Sequence, residues 1–307
     1  ECHWTDPYVL VVPLDWVSGA YLAVLQSWVT FQESYVPFVV RDRARPADLV
    51  VQLPTATWQA YNCWGGRSLY NFNSLGCQAA VRVSYDRPYS NSFGAGDFFF
   101  YAIQTIRFLE REGYDVTYCT SSDLHADAEM LRTRRGFVSL AHDEYWTWDM
   151  RMNLEETRDS LSMAFLGANT CYWQVRFESS ATGEPYRRLV GYKHRVDEDP
   201  YLWDADPSND VRVTGRWRES PTDWNEASLV GVAYDSYMQG EPPTDLDMIV
   251  TGHPSWLFAN TGLAPGDTLP MLLGHEMDRI HPTSPAQTVV AARSPVIIEH
   301  PSFPDPY

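Results

Sequence analysis

Residues 80–170 alternate short apolar runs with amphipathic runs at intervals of ten to twenty residues. The apolar runs have the length of buried strands, and the runs between them have helical spacing. The predicted strands are Ala80–Tyr85, Asp115–Cys119, Phe137–Ala141 and Ser162–Asn169, and the predicted helices are Asp97–Glu112, Ser122–Leu131 and Trp148–Arg158. Regular alternation of strand and helix indicates an α/β fold with a doubly wound parallel sheet.

One of these strands ends in a group of ionisable side chains. The run Phe137–Ala141 leads directly into His142, Asp143 and Glu144. Because ligands of an open α/β sheet bind outside the carboxyl ends of its strands, this group is a candidate site. The alternative is structural, with Asp143 or Glu144 capping the helix that begins near Trp148.

The pattern differs on either side of this alternating region. Before it, strands are predicted over Tyr8–Pro13, Val36–Val40 and Asp48–Leu53, and a helix over Ser18–Trp28. After it, antiparallel strands are predicted over Tyr172–Phe177, Arg187–Tyr192, Leu229–Ala233, Met248–Val250 and Val289–Ile298. We interpret residues 1–307 as a single domain, with an α/β core over about 1–175 and a β-rich elaboration over about 176–307.

Composition excludes some classes of partner. The net charge of -17 argues against nucleic acid and anionic membranes, which need a basic protein surface. No run is long and apolar enough to span a membrane. Glu1–Trp4 lacks the basic start of a signal peptide, so we expect a processed mature chain or a fragment of a longer one. The single lysine, Lys193, we attribute to genome composition or to a salty or extracellular setting.

The sequence has five cysteines, and no two of them form a CxxC pair. Their spacing argues against structural zinc and thioredoxin-like chemistry. Cys63 and Cys77 bracket a glycine-rich loop and could form a disulfide in a secreted protein. Cys119 and Cys171 each follow a predicted strand and could meet at one edge of the sheet.

Most familiar catalytic motifs are missing from the sequence. It has no G-x-S-x-G nucleophile elbow, no P-loop, no G-x-G-x-x-G and no H-E-x-x-H. What remains is an oxygen-rich metal site, because carboxylates and phenolates suit a hard Lewis-acidic cation such as ferric iron. Tyrosines in the aromatic loop Thr55–Asn71 and carboxylates at the strand end are the available oxygen donors.

Several motifs occur in an order that resembles a known family. They are Thr57–Asn62, Gly65–Tyr70, Phe108–Val116, His142–Trp146, Gly167–Asn169, Tyr172-Trp173 and Gly274–Asp278. Together they resemble the C-terminal, catalytic-like domain of the large subunit of N,N-dimethylformamidase. The resemblance covers nearly the whole chain. It implies a flavodoxin-like sheet, related to class I glutamine amidotransferases but without their thiol nucleophile.

The resemblance also implies a set of metal ligands. Dimethylformamidase is known for a mononuclear iron held by two tyrosines and one glutamate. By motif position these correspond to Tyr61, Tyr70 and Glu144 in this chain. Asp143 stands where that enzyme has a proline, which is a departure from the family pattern.

Catalytic roles follow from the same resemblance. His142 would sit beside the metal, and Asn169 and Glu276 would line the substrate pocket. The metal would polarise an amide carbonyl and lower the pKa of a bound water. His142 or Glu276 would take the water proton and later protonate the leaving amine, while Asn169 would stabilise the oxyanion.

Two hypotheses from different classes therefore stand. The first is an extracellular or periplasmic, metal-dependent hydrolase of a C–N amide bond, acting on a small-molecule amide or a polymer. The second is a non-enzymatic extracellular protein that binds carbohydrate or self-assembles, which the many aromatic residues and the acidity favour. A homo-oligomer is compatible with either hypothesis.

Overall fold

The structure of the protein is a computed structural model that describes residues 1–2, 4–237, 247–274 and 276–295. Its strands are β1 (Gly19–Gln26), β2 (Glu33–Val40), β3 (Ala47–Leu53), β4 (Arg82–Ser84), β5 (Val116–Thr120), β6 (Arg134–Ser139), β7 (Tyr145–Thr147), β8 (Ser162–Phe165), β9 (Trp173–Glu178), β10 (Arg188–Val190), β11 (Ala233–Tyr237), β12 (Met248–Val250), β13 (Thr268–Leu269), β14 (Glu276–Arg279) and β15 (Ala292–Arg293). Its α-helices are α1 (Thr55–Tyr61), α2 (Ile103–Arg111), α3 (Ser121–Ala126), α4 (Glu129–Arg132), α5 (Trp148–Thr157) and α6 (Ala227–Val230). A π-helical segment, Phe98–Ala102, leads into α2, and short 3₁₀ helices lie at Trp64–Gly66, Leu75–Cys77, Ser92–Gly94, Lys193–Glu198, Pro200–Leu202, Asp210–Arg212 and Ser255–Phe258.

A parallel sheet with strand order β5-β3-β6-β8 combines three strands of the alternating region with β3, which precedes that region in the chain. Strand β3 is covered on both faces, and Val50, Val51 and Leu53 are each 2 % exposed or less. Strands buried on both faces form near-continuous apolar runs, which is why the sequence pattern predicts them well. The predicted mixed α/β class with a parallel sheet is confirmed.

Helices and the π-helical segment pack against one face of this sheet. The main hydrophobic cluster joins strand residues to aromatic and aliphatic side chains of the following helices: Val51, Leu53, Trp58, Phe98, Ile106, Leu109, Tyr118, Val138 and Leu140. Burying a side chain of this size contributes about 1.5–3 kcal/mol. The core therefore holds β3, α1 and β6 together, and the carboxyl ends of β3 and β6 are next to one another.

Antiparallel pairing accounts for the other sheets. Strands β1 and β2 form a hairpin, and β4-β10-β9-β7 form a sheet in which only the β7–β9 pair is parallel. Farther along the chain, β11 pairs with β14, and β12 lies between β13 and β15. Antiparallel sheets, which the sequence predicts for the C-terminal half, are present within the described ranges, although not every strand lies where it was predicted.

Chain contacts divide the described residues into two compact units. One comprises residues 1–167 and 171–223, and the other comprises residues 168–170 with the described residues from Trp224 onward. The prediction of a single domain over the whole chain stays a prediction. In the parts of the chain that the structure describes, no helix is both long and apolar enough to cross a membrane.

The helix predicted over Ser18–Trp28 is wrong, because Gly19–Gln26 is strand β1. Tyr21 of β1 stacks its ring on that of Phe38 in β2, with centroids 5.6 Å apart. Aromatic and β-branched residues stabilise strands through such cross-strand pairs. The pairing with β2, which single-segment periodicity does not reveal, decides the conformation.

Other predicted elements also differ from the structure. No strand forms over Tyr8–Pro13, where Tyr8 is 90 % exposed and Val11 81 %. The helix predicted over Ser122–Leu131 divides into α3 and α4, because Asp127 adopts an extended conformation. The strand predicted over Leu229–Ala233 is wrong.

Leu229 and Val230, predicted to begin this strand, belong instead to helix α6. The helix ends at Gly231, which has a left-handed φ of 92°. Strand β11 then begins at Ala233. Of the strand predicted over Val289–Ile298, only Ala292–Arg293 is a strand among the residues described, and the part beyond Pro295 lies outside them.

All five cysteines lie in described ranges, and no two of them form a disulfide. The predicted Cys63–Cys77 disulfide is therefore wrong, and Cys119 and Cys171 do not pair either. Cys63 Sγ lies 3.5 Å from Ser90 Oγ, and Cys77 is exposed on a turn with a positive φ of 53°. Bracketing a loop in sequence does not bring two sulfur atoms to bonding distance, because their Cβ atoms must also face each other.

Candidate functional site

Two adjacent segments meet outside the carboxyl ends of β3 and β6. Helix α1 follows β3 after Pro54, and the segment 140–147 follows β6. Thr57 of α1 connects them, because its Oγ1 accepts hydrogen bonds from the backbone N–H groups of Glu144 (3.0 Å) and Tyr145 (3.2 Å). Helix α1 therefore sets the position of the Glu144 backbone.

The loop from Tyr61 to Ser74 is held in place by its own small polar side chains. Ser68 Oγ accepts from the Tyr70 N–H at 2.9 Å, and Ser74 Oγ donates to the Tyr70 carbonyl at 2.6 Å. Asn73 Nδ2 donates to the Tyr61 carbonyl at 2.9 Å. The rings of Tyr61 and Tyr70 consequently stack, with centroids 4.2 Å apart.

Arg87 also holds the Tyr61–Ser74 loop in place through hydrogen bonds. Its guanidinium is largely buried, and burial lowers its pKa to about 10. It donates to the carbonyls of Asn62, Trp64, Arg67 and Ser84 and to the side chain of Gln59, at 2.7–3.0 Å. A guanidinium presents its donors in a rigid fork, so these bonds constrain the loop in several directions at once.

Three side chains bring their oxygen atoms together, and we call them the oxygen cluster: Tyr61, Tyr70 and Glu144. Tyr61 Oη donates to Glu144 Oε2 at 2.8 Å, and Tyr70 Oη lies 2.7 Å from Tyr61 Oη. Tyr70 Oη is also 3.1 Å from Glu144 Oε1 and 3.0 Å from Oε2. The structure thus brings the three predicted ligand residues into mutual hydrogen-bond distance.

The electrostatics of the oxygen cluster favour a protonated phenol at Tyr70. Tyr70 and Glu144 are each 3 % exposed. Burial, reinforced by the charge of Glu144, raises the pKa of Tyr70 well above its usual value. A cation entering the cluster would favour the phenolate instead and release protons, because an opposite charge favours the ionised form.

His142 lies beside the oxygen cluster. Its Nε2 is 3.4 Å from Glu144 Oε2, and its ring centroid is 5.7 Å from that of Tyr61. The side chain is 22 % exposed, so it connects the buried cluster to solvent. An imidazole at this place can exchange protons with a carboxylate at one side and with water at the other.

Two residues beside the cluster were not assigned a role from sequence. Tyr145 donates from its Oη to Tyr70 Oη at 2.6 Å. Lys193, attributed to composition, is 7 % exposed, and its Nζ lies 3.3 Å from the centroid of the Tyr70 ring. The only signal for Lys193 in the sequence is its being the one lysine in an arginine-rich chain.

Asp143 immediately precedes Glu144 in the chain and does not cap a helix. Helix α5 is capped by Thr147, whose side chain accepts from Met150 N, so the capping alternative for Asp143 and Glu144 is wrong. Asp143 is completely buried, and its Oδ2 accepts from Ser139 Oγ at 2.8 Å. Burial raises the pKa of Asp143 to about 7.

Asn169 and Glu276 belong to the second unit, where they contact each other. Asn169 Nδ2 donates to Glu276 Oε1 at 3.1 Å, and the Asn169 backbone N–H donates to Asp278 Oδ1 at 2.9 Å. Asn169 has a positive φ of 59°, a conformation that asparagine tolerates better than most residues. Their predicted roles in catalysis stay predictions.

Comparison with known protein families identifies the chain. A family model described as N,N-dimethylformamidase beta subunit-like, C-terminal, matches residues 1–303. The chain belongs to this family. No curated protein sequence matches it. The resemblance that the motifs indicate is therefore confirmed over nearly the full length of the chain.

The donor set of this dimethylformamidase-like chain fits a hard cation. Oxygen ligands bonded to one cation at about 2.0–2.2 Å lie roughly 3 Å from one another. The cluster oxygens already have separations of 2.7–3.1 Å. Among the described residues, no group of three or more His, Cys, Asp or Glu side chains could hold a metal ion. Any metal at this place would therefore depend on the two phenols.

Proposed function

We propose that the protein is a metal-dependent hydrolase of C–N amide bonds, with one iron ion held by Tyr61, Tyr70 and Glu144. Family membership suggests dimethylformamidase-like hydrolase activity. The observation that carries the metal proposal is the convergence of two phenol oxygens and a carboxylate at 2.7–3.1 Å. Hard oxygen donors of this kind favour a hard cation over a soft one.

The surrounding residues have chemistry that suits this reaction. A bound cation of this kind supplies Lewis acidity toward the amide carbonyl and lowers the pKa of water. His142 Nε2 takes the proton of the attacking water and returns it to the leaving amine nitrogen. The ammonium of Lys193, beside the Tyr70 ring, favours loss of the Tyr70 phenol proton. Tyr145 Oη donates to Tyr70 Oη and orients it.

We also propose that the parallel sheet is flavodoxin-like. Numbered in chain order, its strands follow the order 2-1-3-4, which begins the 2-1-3-4-5 order of that fold. The strand order reverses between β3 and β6, and ligands of such sheets bind at the reversal. The oxygen cluster is contributed by the segments that follow these two strands. The fold proposal and the site proposal therefore support each other.

We propose a small-molecule amide as the substrate, with a polymer as the alternative. An extracellular or periplasmic location remains a proposal supported by the acidic, aromatic-rich composition.

The test combines metal analysis with amide hydrolysis. We expect one iron per chain, a visible phenolate-to-iron charge-transfer band, and release of amine from a panel of simple amides. Tyr61→Phe should lose the band and the activity together. Tyr118→Phe is the matched control, because its buried phenol bonds Glu110 at 2.9 Å and not the cluster. Iron bound equally by Tyr61→Phe, or a folded protein that takes up no metal, would overturn the proposal.

A further inference from the structure

A concave region with a volume of about 840 Å³ is lined in part by Trp64, Gly65 and Arg67 of the Tyr61–Ser74 loop. We call it the arginine pocket, because four guanidinium groups are among its described lining residues: Arg67, Arg82, Arg87 and Arg188. The chain as a whole carries a net charge of -17. Four arginines around one pocket are therefore a local reversal of the charge of the protein, and such a pocket attracts anions.

The pocket already contains one carboxylate. The side chain of Glu1 is 12 % exposed and forms an ion pair with Arg188 Nε. Both carboxylate oxygens of Glu1 also lie 3.3 Å from the backbone nitrogen of Ala181, which donates to them. The hydrogen bond from Arg188 is the largest cause of the lowered pKa of Glu1. A guanidinium and a backbone N–H that donate to the same carboxylate form a carboxylate-binding site.

The remaining positive charges exceed the carboxylates that pair with them. Arg82 pairs with Glu178 at 2.9 Å, and Arg67 Nη2 donates to the neutral side chain of Gln78 at 2.9 Å. Arg87 donates to neutral carbonyl groups, as described above. Among the described residues, these four guanidinium groups form ion pairs with two carboxylates, those of Glu1 and Glu178. A third carboxylate near Arg188, that of Asp86, is itself paired with Arg187. The surplus favours a ligand with more than one negative charge, or one that replaces Glu1.

An aromatic surface adjoins the charged groups. Trp64 lines the pocket and is 41 % exposed, and no atom lies within 4 Å of the position that a Cβ would occupy on the neighbouring Gly65. An exposed indole beside guanidinium groups offers a flat apolar face next to anion donors. A ring that carries a carboxylate matches both features.

We propose that the arginine pocket binds a small carboxylate-bearing molecule, and that Glu1 is the internal carboxylate that this ligand displaces. Arg188 and the Ala181 N–H hold the ligand carboxylate, Arg67 and Arg82 add positive charge, and Trp64 covers an apolar part of the ligand. A sugar acid and an aliphatic polycarboxylate share this chemistry. The site is separate in its chemistry from the oxygen cluster, and it does not depend on the proposed hydrolase activity.

Isothermal titration with glucuronate and with citrate tests the proposal on the full chain. We expect both the wild-type protein and Glu1→Ala to bind at least one of the probes. Glu1→Ala should bind about tenfold more tightly, because the competing carboxylate is gone. Arg188→Gln should weaken binding about tenfold or more, because a charge-assisted bond is lost. Arg132→Gln, which removes an exposed arginine paired with Glu129, is the matched control and should change nothing.

The outcomes separate the two ligand sources. Loss of glucuronate binding in Trp64→Ala, with citrate binding unchanged, identifies a sugar acid. Equal binding of citrate by wild type and Trp64→Ala, with no glucuronate binding to either, identifies an aliphatic polycarboxylate. The proposal is overturned if neither probe binds Glu1→Ala at about 10 mM, which corresponds to a negligible affinity. It is equally overturned if the folded Arg188→Gln variant binds as tightly as Arg132→Gln.

Discussion

The Tyr61–Ser74 loop contributes to both the oxygen cluster and the arginine pocket, and these two regions differ in burial and in charge. At the cluster, Tyr70 is 3 % exposed, and burial keeps its phenol protonated. At the pocket, the side chain of Arg82 is 51 % exposed and keeps its charge in contact with water. One region collects oxygen atoms that suit a cation, and the other collects cations that suit a carboxylate.

The difference shows how one loop can support two opposite chemistries. The charged form of a group is disfavoured where water is excluded, so the buried end of the loop uses neutral donors. The exposed middle of the loop, at Trp64 and Arg67, lines the pocket instead. Arg87 bonds to the loop between these regions and fixes both at once. The comparison predicts that most substitutions affect one region only, and that Arg87 affects both.

The largest effect should follow removal of the charge at the cluster. Glu144→Gln keeps the shape of the side chain but removes its negative charge, so we expect iron binding and amide hydrolysis to fall about 100-fold or more. Carboxylate binding at the arginine pocket should stay within about twofold of wild type. Iron content, amine release and titration with citrate measure the three quantities. A parallel loss of citrate binding would show that the two regions are not independent.

Arg87→Gln should damage both regions through the fold of the loop. The substitution leaves several buried carbonyl groups without a donor, and we expect it to lower the free energy of unfolding by about 3 kcal/mol. Urea denaturation provides the measurement. The control is Arg111→Gln, which removes an arginine that is 74 % exposed and should change stability by less than about 0.5 kcal/mol. Equal stabilities for the two variants would contradict the role of Arg87.

The third prediction concerns pH and Asp143, the buried residue that immediately precedes Glu144. The pKa of Asp143 is about 7 in the folded protein, above the roughly 3.9 of an unfolded chain. The folded state therefore keeps a proton that the unfolded chain releases, and stability falls as pH rises between these values. Between pH 5 and pH 8, the free energy of unfolding of the metal-free protein should therefore fall by roughly 2 kcal/mol less in Asp143→Asn than in the wild type.

Asp199 is the matched control for this experiment, because it is also completely buried. Burial alone would raise its pKa, but hydrogen bonds from Arg176 and Thr214 lower it below the usual value. The stability that it contributes is present above the unfolded pKa and is lost only as pH falls through the folded one. Asp199→Asn should therefore shift stability equally at pH 5 and pH 8. If Asp143→Asn does the same, its carboxyl is ionised at both values.

The smallest effect is expected from Arg67→Gln. Arg67 lies at an exposed position of the pocket, so its loss should weaken citrate binding only about threefold. Iron content and amide hydrolysis should be unchanged, although Tyr70 is only three residues away. A change in the charge-transfer band of this variant would mean that the exposed part of the loop moves the cluster.

The sequence predicts the parallel sheet because strands covered on both faces must be apolar along their whole length. Val50, Val51 and Leu53 show this pattern, and the strand end at Glu144 marks the candidate site. Strand β1 is predicted incorrectly, because its conformation depends on pairing with β2 and not on its own periodicity. The local sequence pattern therefore predicts strands well where both faces of the sheet are buried. It predicts them less well where pairing with a partner strand decides the conformation.

For the site, the sequence by itself determined the strand end with His142 and Glu144, and the family resemblance added Tyr61 and Tyr70. Only the tertiary structure places Lys193 over the Tyr70 ring and brings Arg67, Arg82 and Arg188 around one pocket. The physical reason is the distance along the chain over which each kind of information acts. Backbone periodicity operates over a few residues, whereas a side-chain cluster depends on where folding brings segments more than a hundred residues apart.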